Sequence, residues 1–432
     1  MRVLYGIFLA VFLILIFIFS YKKFRDIFSP LCIFALFQFL RYVPNMFFKE
    51  QEFGMTLNDA TLAKTFIVEI AFIFAVCMGT KISIKNDTEN LLVLDEVKEE
   101  KISQKKIHTW LIWTFFALGF LERLVIIIAN GGILHIIKNM GRVYSNLVET
   151  SSGYLEALGI LITISAVMML EKSKLIPKKR YYFSFLLIVV LGMFSYFLFS
   201  KRSGALEILM IVVFAYNYII KPIRIKNFLK PKYIMAVLLC AFLVVILPTI
   251  RNTTYESDIS EVDIKEVLKN NNLFDEFSYL GRDTFIFNTF NVDNYWLGAN
   301  FLNLAVGAIP SRVFLDKPAL DDGVYICNWM YGYEVSPTTP YRDVPIKNSF
   351  PFSTQGCMYT NFGIIGVIIG GLILGILYRH FYKKVLKRRD GFSVIVYQLI
   401  VYQLELSTLS IVQTIVPLII CHGAYFIAKK VK

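Results

Sequence analysis

Charged side chains and histidines are scarce in this sequence. Asp, Glu, Lys and Arg make up 18% of the 432 residues, and only 4 histidines occur. Hydrophobic residues reach 56% and the mean hydropathy is +0.59, whereas soluble domains carry about a quarter charged residues. This composition excludes an ordinary soluble domain and indicates an integral membrane protein.

Sequence patterns for cofactor and metal binding are also missing. The 6 cysteines show no CxxC pattern and no Cys/His ligand spacing. A P-loop, a nucleotide-binding unit and a DxD-type metal site in the expected outer loops are absent, so we expect no cofactor and no metal. Cys327 and Cys357 are the cysteines that could pair outside the membrane, and the sequence leaves their pairing open.

The net charge of +13 does not point to nucleic acid. The basic residues fall in short clusters between apolar runs, and they do not form one face with interleaved aromatic residues. We therefore interpret them as topology signals and expect membrane lipids, and no nucleic acid, among the partners.

Apolar runs long enough to cross roughly 30 Å of hydrocarbon recur along the chain, which predicts an all-α polytopic membrane protein with about eleven spans. The first run is followed by SYKKFRD, so we expect a retained helix and not a cleaved signal peptide. The predicted spans are 3–19, 27–46, 62–79, 108–128, 154–170, 182–199, 204–219, 233–249, 358–377, 392–409 and 411–427.

Lys and Arg are denser in one alternating set of connections, which predicts an extracytoplasmic N-terminus and a cytoplasmic C-terminus. The chain then divides into helices 1–8 over 1–249, a large extracytoplasmic loop over 250–357, and helices 9–11 over 358–432. The loop is rich in aromatic residues and includes YWLGANFLNLAVGAI, a run too short to span the membrane, so we expect it to fold back on the outer face. Within it, SEVDIKEVLKNN predicts a short helix capped by Ser260.

Arginines on the expected outer side are few, and most lie near helix ends or aromatic segments. A guanidinium group stays charged and presents a planar fork that binds phosphate oxygens in pairs, so such a set suits a diphosphate. Anchoring to lipid headgroups is the alternative for each one. These arginines are Arg123, Arg142, Arg202, Arg251, Arg282, Arg312 and Arg342.

Two pairs of charged residues stand out against their apolar surroundings. Glu122 and Arg123 lie within a predicted span, where each charge costs about 2.5 to 3.5 kcal/mol, so they face a polar cavity or form an internal ion pair. Lys201 and Arg202 occupy a very short outer turn, which points both cations between two helices or toward lipid phosphates.

An arginine followed after ten residues by a glycine occurs in both sizeable outer loops, at Arg142 with Gly153 and at Arg312 with Gly323. With these motifs, the basic turn SKRSG, the stretch AIPSRVFLDKP and the helix start in TNFGIIG, the chain from about Trp110 to Tyr378 resembles the Wzy-type O-antigen and capsule repeat-unit polymerases.

The resemblance implies a metal-independent glycosyltransferase with a GT-C-like fold in the bacterial cytoplasmic membrane. Its partners would be an undecaprenyl-diphosphate-linked oligosaccharide and a chain-length regulator protein. Arginines that stabilise the charge developing on the leaving diphosphate would lower the barrier, and Arg142, Arg202 and Arg312 are the candidates, with Glu122 as a further catalytic residue.

The remaining site residues are expected to bind substrate: Arg123, Lys201, Arg251, Arg282, Gly153 and Gly323. The base for the acceptor hydroxyl stays open between Glu122, His135 and Asp283. Two other functions remain open, a ligase that uses the same lipid-linked donor and a transporter or flippase.

Overall fold

The computed structural model shows long apolar helices with short helices and turns packed against one end of them. It describes residues 1–52, 55–82, 107–129, 131–138, 157–198, 202–225, 277–307 and 313–431, with 231, 235 and 309. The helices of this part of the chain are α1 (Arg2–Phe24), α2 (Pro30–Phe48), α3 (Asp59–Gly79), α4 (Thr109–Ala129), α5 (Ile133–Lys138), α6 (Ile160–Leu175), α7 (Lys179–Leu198), α8 (Arg202–Ala215), α9 (Leu280–Thr289), α10 (Asn303–Gly307), α11 (Asp322–Met330), α12 (Thr354–Arg388), α13 (Gly391–Gln398) and α14 (Thr408–Lys430).

Within the described residues, 5 helices are long and apolar enough to cross a membrane, namely α1, α2, α3, α12 and α14. Shorter apolar helices accompany them at Thr109–Leu121, Gly204–Ile220 and Gly391–Gln403. A two-stranded antiparallel hairpin pairs Gln51–Glu52 with Met55–Thr56. The prediction of a helical membrane protein is confirmed.

Local sequence accounts for where several helices begin and end. The side chains of Asn58, Ser353 and Asp390 cap α3, α12 and α13 by accepting hydrogen bonds from backbone N–H groups of the first turn. Basic residues close the last turns of α1, α6, α12 and α14, where they complement the helix dipole. These four helix ends define the basic end of the bundle, which we expect to face the cytoplasm.

Most predicted spans agree with the observed helices except at their ends. The helix expected over 154–170 runs over Ile160–Leu175, and the one expected over 358–377 extends over Thr354–Arg388. A continuous helix over 392–409 is wrong, because α13 passes into a π-helical turn over Leu399–Gln403 and residues 404–407 are not helical. The helices expected over 233–249 and after Ser260 lie outside the described residues.

Glycines allow α3 and α12 to pack backbone against backbone. A Cβ atom at Gly375 would lie 2.3 Å from the carbonyl oxygen of Val76, and one at Gly79 would lie 2.4 Å from that of Leu372. Both distances are too short for any side chain. Small residues serve the same purpose in other membrane helix pairs, where close approach gives the van der Waals contact that holds helices together.

The TNFGIIG segment is where α12 kinks. Phe362 and Gly363 leave helical geometry, and Gly363 has a φ of 60° with no room for a Cβ beside the hydroxyl of Tyr295. The backbone N–H of Trp296 donates to the carbonyl oxygen of Thr360 at 3.0 Å. The kink therefore anchors the outer loop, and it separates the first turns of α12 from a second helical stretch that begins at this segment, as the sequence suggested.

The described residues of the expected outer loop, 277–307, 309 and 313–357, pack against the helices. Helix α9 contacts α2, α3 and α12, and the carboxylate of Asp322 accepts hydrogen bonds from the Thr408 backbone N–H at 2.9 Å and from Asn300 at 3.0 Å. The YWLGANFLNLAVGAI run forms short turns and α10, and it does not span the membrane. The loop thus positions polar side chains over one end of the bundle.

Candidate functional site

Two arginines from distant parts of the chain stack on one tyrosine ring. The guanidinium carbon of Arg41, near the end of α2, lies 4.6 Å from the ring centre of Tyr279, and that of Arg282, on α9, lies 4.3 Å from it. The backbone N–H of Tyr279 also donates to the carbonyl oxygen of Arg41 at 3.1 Å. The two cations are therefore neighbours at the end of the bundle opposite the basic end.

Arg41 also forms an ion pair with Glu405, which lies in the non-helical stretch between α13 and α14. Nη1 of Arg41 is 2.6 Å from Oε1 of Glu405, and both side chains are about one-sixth exposed. The other carboxylate oxygen of Glu405 accepts from the backbone N–H of Thr354 at 2.9 Å and from its hydroxyl at 2.5 Å. This carboxylate thus joins α2, the start of α12 and the turn before α14.

Asp283 is buried beside these arginines. Its carboxylate accepts hydrogen bonds from the Tyr42 hydroxyl and from the Ser353 hydroxyl, the latter at 2.9 Å. Burial raises the pKa of Asp283 to about 6, and the hydrogen bonds and the charges of Arg282 and Arg41 oppose that rise. The residue is 1% exposed, so its carboxylate faces other side chains and not solvent.

A line of buried polar groups continues from Asp283 into the membrane-spanning helices. Nε2 of Gln355 donates to the Tyr42 hydroxyl at 2.5 Å and to Oε1 of Glu69 at 3.1 Å. Tyr42, Glu69 and Gln355 are buried on α2, α3 and α12. A network of this kind fixes the side chains that it joins, because breaking one bond leaves a buried polar group unsatisfied.

A narrow cleft opens next to the Arg41–Glu405 ion pair. It encloses a cavity of about 20 Å³ between α2 and the π-helical turn after α13, with Gln38, Arg41 and Glu405 among its polar lining residues. Phe34, Phe37, Leu374 and Val401 supply apolar walls. The cavity as it stands holds about one water molecule.

Of the predicted catalytic and binding residues, several lie outside the described part of the chain: Arg142, Arg251, Arg312, Lys201 and Gly153. Arg202 begins α8 and Glu122 lies within α4, but their side chains are also outside the described part. The grouping of these residues around one diphosphate therefore stays a prediction.

Arg123 and Arg282 are the predicted binding arginines whose side chains the structure describes. Arg123 is 1% exposed, and its guanidinium carbon lies 4.7 Å from the ring centre of Tyr196 on α7. Arg282 is 6% exposed, and its guanidinium donates to the carbonyl oxygen of Ser278. Both arginines are thus held against tyrosines inside the protein instead of extending toward bulk lipid.

Gly323 lies in the first turn of α11, where a Cβ would be 1.9 Å from the carbonyl oxygen of Phe350. The lack of a side chain at Gly323 therefore allows close packing. The sequence predicted a turn here, and the structure shows the start of a helix that the Asp321 side chain caps.

His135, a candidate base, is exposed on α5. Cys327 and Cys357 are both free and buried.

Sequence reasoning missed Arg41, Glu405 and Glu69 as functional candidates. Arg41 and Glu69 interrupt long apolar runs, and that signal was available, because a charge within a membrane span is costly and tends to mark a polar site. The same signal identified Glu122 and Arg123. The partnership of Arg41 with Glu405 joins opposite ends of the chain and has no local signature.

Among the described residues, no group of three or more His, Cys, Asp and Glu side chains comes together to hold a metal ion. Comparison of the chain with protein-family models, curated proteins and solved structures finds no match. The function proposed below therefore rests on the geometry of the site and on the sequence motifs.

Proposed function

We propose that this protein is a polymerase that joins undecaprenyl-diphosphate-linked oligosaccharide repeat units into O-antigen or capsular polysaccharide. The reaction takes place on the outer face of the bacterial cytoplasmic membrane, in a GT-C-like fold with about eleven spans. A chain-length regulator protein is the expected partner.

The observation that carries this proposal is the pairing of Arg282 with Arg41 across Tyr279. Two guanidinium groups contact one ring at the end of the bundle away from the basic helix ends, and the planar forks of such a pair suit the oxygens of a diphosphate. The Arg-x10-Gly motifs of the sequence add Arg142 and Arg312 as further phosphate ligands, and the basic turn adds Arg202.

The reaction transfers a glycosyl group from one lipid diphosphate to a hydroxyl of another lipid-linked unit. The bond from the anomeric carbon to the phosphate oxygen breaks, a glycosidic bond forms, the hydroxyl proton leaves to a base, and the lipid diphosphate departs. Negative charge grows on the leaving oxygen as the bond breaks. Fixed guanidinium groups stabilise that charge more in the transition state than in the ground state, which is what accelerates the step.

Asp283 has a positioning role in this proposal. Its carboxylate is 1% exposed and already accepts hydrogen bonds from Tyr42 and Ser353, so an acceptor sugar has no path to it. It holds α9, and with it Arg282, against α2 and the start of α12. The base for the acceptor hydroxyl is then sought among Glu122 and His135.

Deletion of the gene tests the function. The surface polysaccharide of the deletion strain, resolved on a gel, should lose its ladder and retain a single capped repeat, and a plasmid copy should restore the ladder. Complete loss of every attached repeat would instead support ligation or flipping, and an unchanged ladder would refute all three.

A further inference from the structure

The residues that line the cleft beside Arg41 suit a binding site for an amphiphile with an anionic headgroup. Its walls are aromatic and aliphatic along α2 and the π-helical turn, and its polar residues include Arg41, Glu405 and Gln38. Arg41 lies one turn beyond Gln38 along α2, toward the outer end of that helix. An occupant would therefore place a hydrocarbon chain along the walls and a phosphate at Arg41.

Arg41 has binding capacity left after its contact with Glu405. A guanidinium carries five N–H donors in a fixed fork, and the 2.6 Å contact with Glu405 joins Nη1 to the single oxygen Oε1. Arg282 adds a second cation beside Tyr279, and the nearby Asp283 carboxylate adds a second negative charge. Among the residues that line the cleft, Arg41 is the cation that can bind a phosphate.

Gln38 supplies an independent sign that the cleft takes a ligand. The side chain is 2% exposed and lines the cleft, and its Oε1 atom has no hydrogen-bond partner among the described residues. A buried amide left without a partner costs about 1 to 3 kcal/mol, so such a group is normally satisfied by water or by a ligand. The cavity of about 20 Å³ admits one water and nothing larger in this conformation.

To admit a chain, the cleft would have to widen at the π-helical turn after α13, which is its least regular wall. The rings of Phe37 on α2 and Tyr402 on the π-helical turn lie with their centres 5.5 Å apart. The π-helical turn over Leu399–Gln403 and the non-helical residues 404–407 replace the regular helix that would otherwise close this side. Irregular turns of this kind inside helices are common at functional sites.

We propose that this cleft binds the polyprenyl chain and the proximal phosphate of the lipid carrier, with Arg41 as the phosphate ligand. Phe37 and Tyr402 separate to admit the chain. Glu405 orients Arg41 and, because it is negative, weakens phosphate binding at the same time. The inference rests on the proposed function for the identity of the lipid, and it adds where the carrier lies and which residue governs its affinity.

Photo-crosslinking of the full-length protein tests the proposal. The protein is placed in phosphatidylcholine nanodiscs with a diazirine-bearing polyprenyl phosphate, and the labelled peptides are sequenced after irradiation. We expect labelling within Pro30–Phe48 and Leu399–Gln403, with competition by unlabelled undecaprenyl phosphate and weak competition by phosphatidylglycerol or inorganic pyrophosphate. Labelling elsewhere, or equal competition by phosphatidylglycerol, would overturn it.

Three variants separate phosphate binding from a purely structural ion pair. Arg41→Gln should weaken labelling of the cleft about ten-fold or more, since a charge-assisted contact to phosphate is lost. Glu405→Gln should strengthen it several-fold, because a negative charge beside the phosphate is removed while an acceptor for Thr354 remains. The control Arg388→Gln, at an exposed arginine of the basic end of the bundle, should label as wild type.

The opposite signs of the first two variants are the decisive result. If Arg41 and Glu405 only hold the fold together, both variants weaken labelling alike or change nothing, and the proposal fails; a cleft that holds only water gives no labelling at all. If Arg41→Gln loses cleft labelling but deletion of the gene leaves the ladder intact, lipid binding at the cleft stands and polymerase function is refuted. If deletion abolishes the ladder but Arg41→Gln labels as wild type, polymerase function stands and the cleft proposal is refuted.

Discussion

Arg41 and Glu405 form an ion pair, with Nη1 of the arginine 2.6 Å from Oε1 of the glutamate, although they lie near opposite ends of the sequence. The pair connects an early membrane helix to the turn before the last one. Because Glu405 also accepts hydrogen bonds from Thr354, α2, the start of α12 and the turn before α14 meet at this carboxylate.

Removing the Glu405 carboxylate should destabilise the protein. Glu405→Ala leaves Arg41 and the first turn of α12 without their acceptor, which we expect to lower the free energy of unfolding by about 2 kcal/mol. The control is Asp59→Ala, whose exposed carboxylate pairs with the N-terminal ammonium group and should contribute about 0.5 kcal/mol or less. Thermal unfolding in detergent compares the two; equal effects would contradict the role assigned to Glu405.

The pKa of Asp283 predicts a pH dependence of stability. Burial raises this pKa from an ordinary 3.8 to about 6, so between these values the folded protein binds a proton that the unfolded chain has released. The free energy of unfolding should therefore fall as pH rises from about 4 to about 6, by up to roughly 3 kcal/mol from this group.

Asp283→Asn removes this titration, so its stability should change less than that of the wild type over the same pH range. The measurement is the unfolding midpoint at a series of pH values. Asp293→Asn, at an exposed position of the outer loop, is the matched control and should keep the wild-type slope. A slope in Asp283→Asn as steep as in the wild type would assign the pH dependence to another group.

Close packing of α3 on α12 makes Gly375 intolerant of any side chain. Gly375→Ala places a methyl group 2.3 Å from the carbonyl oxygen of Val76, so the helices must separate, at a cost of about 1 to 3 kcal/mol. Gly423→Ala, in α14, is the control, since a Cβ there meets no atom within 4 Å and alanine favours the helix. The two unfolding temperatures should differ in opposite directions from wild type, and a stable Gly375→Ala protein would contradict this packing.

The fork of the Arg312 guanidinium is expected to bind the diphosphate in two places at once. Arg312→Lys keeps the charge and removes the fork, so it should abolish the polysaccharide ladder while the protein stays at normal abundance in the membrane. Arg388→Lys is the control, because that side chain is exposed at the basic end of the bundle. A wild-type ladder in Arg312→Lys would refute the bidentate role.

The sequence predicts the membrane-spanning helices that depend only on the length of a hydrophobic run. Helices α1, α3 and α14 follow directly from long, mostly hydrophobic runs, and their ends differ from expectation by a few residues. The start of α12 was placed too late, because the polar residues Thr354 and Gln355 look like a loop in sequence. They are helical because the fold buries them and gives their donors acceptors. The Thr354 hydroxyl donates to Glu405, and Nε2 of Gln355 donates to Tyr42 and Glu69.

The candidate site was harder to predict, because its residues meet only through tertiary contacts. Arg282 was identified from its place among few outer arginines, and the structure shows it buried against Tyr279. Arg41 was taken as part of an ordinary span, and Glu405 as part of a helix that in fact ends at Gln403. Neither local pattern nor spacing reveals a pair whose members lie on α2 and in the stretch between α13 and α14.

Reconstitution of the reaction tests the central claim most directly. Lipid-linked oligosaccharide extracted from the deletion strain is incubated with the purified protein in nanodiscs, and the products are resolved by length. We predict a ladder of repeats with one lipid diphosphate released for each glycosidic bond formed. Oligosaccharide that stays at one repeat, or that moves to an acceptor other than a lipid-linked unit, would contradict polymerase function.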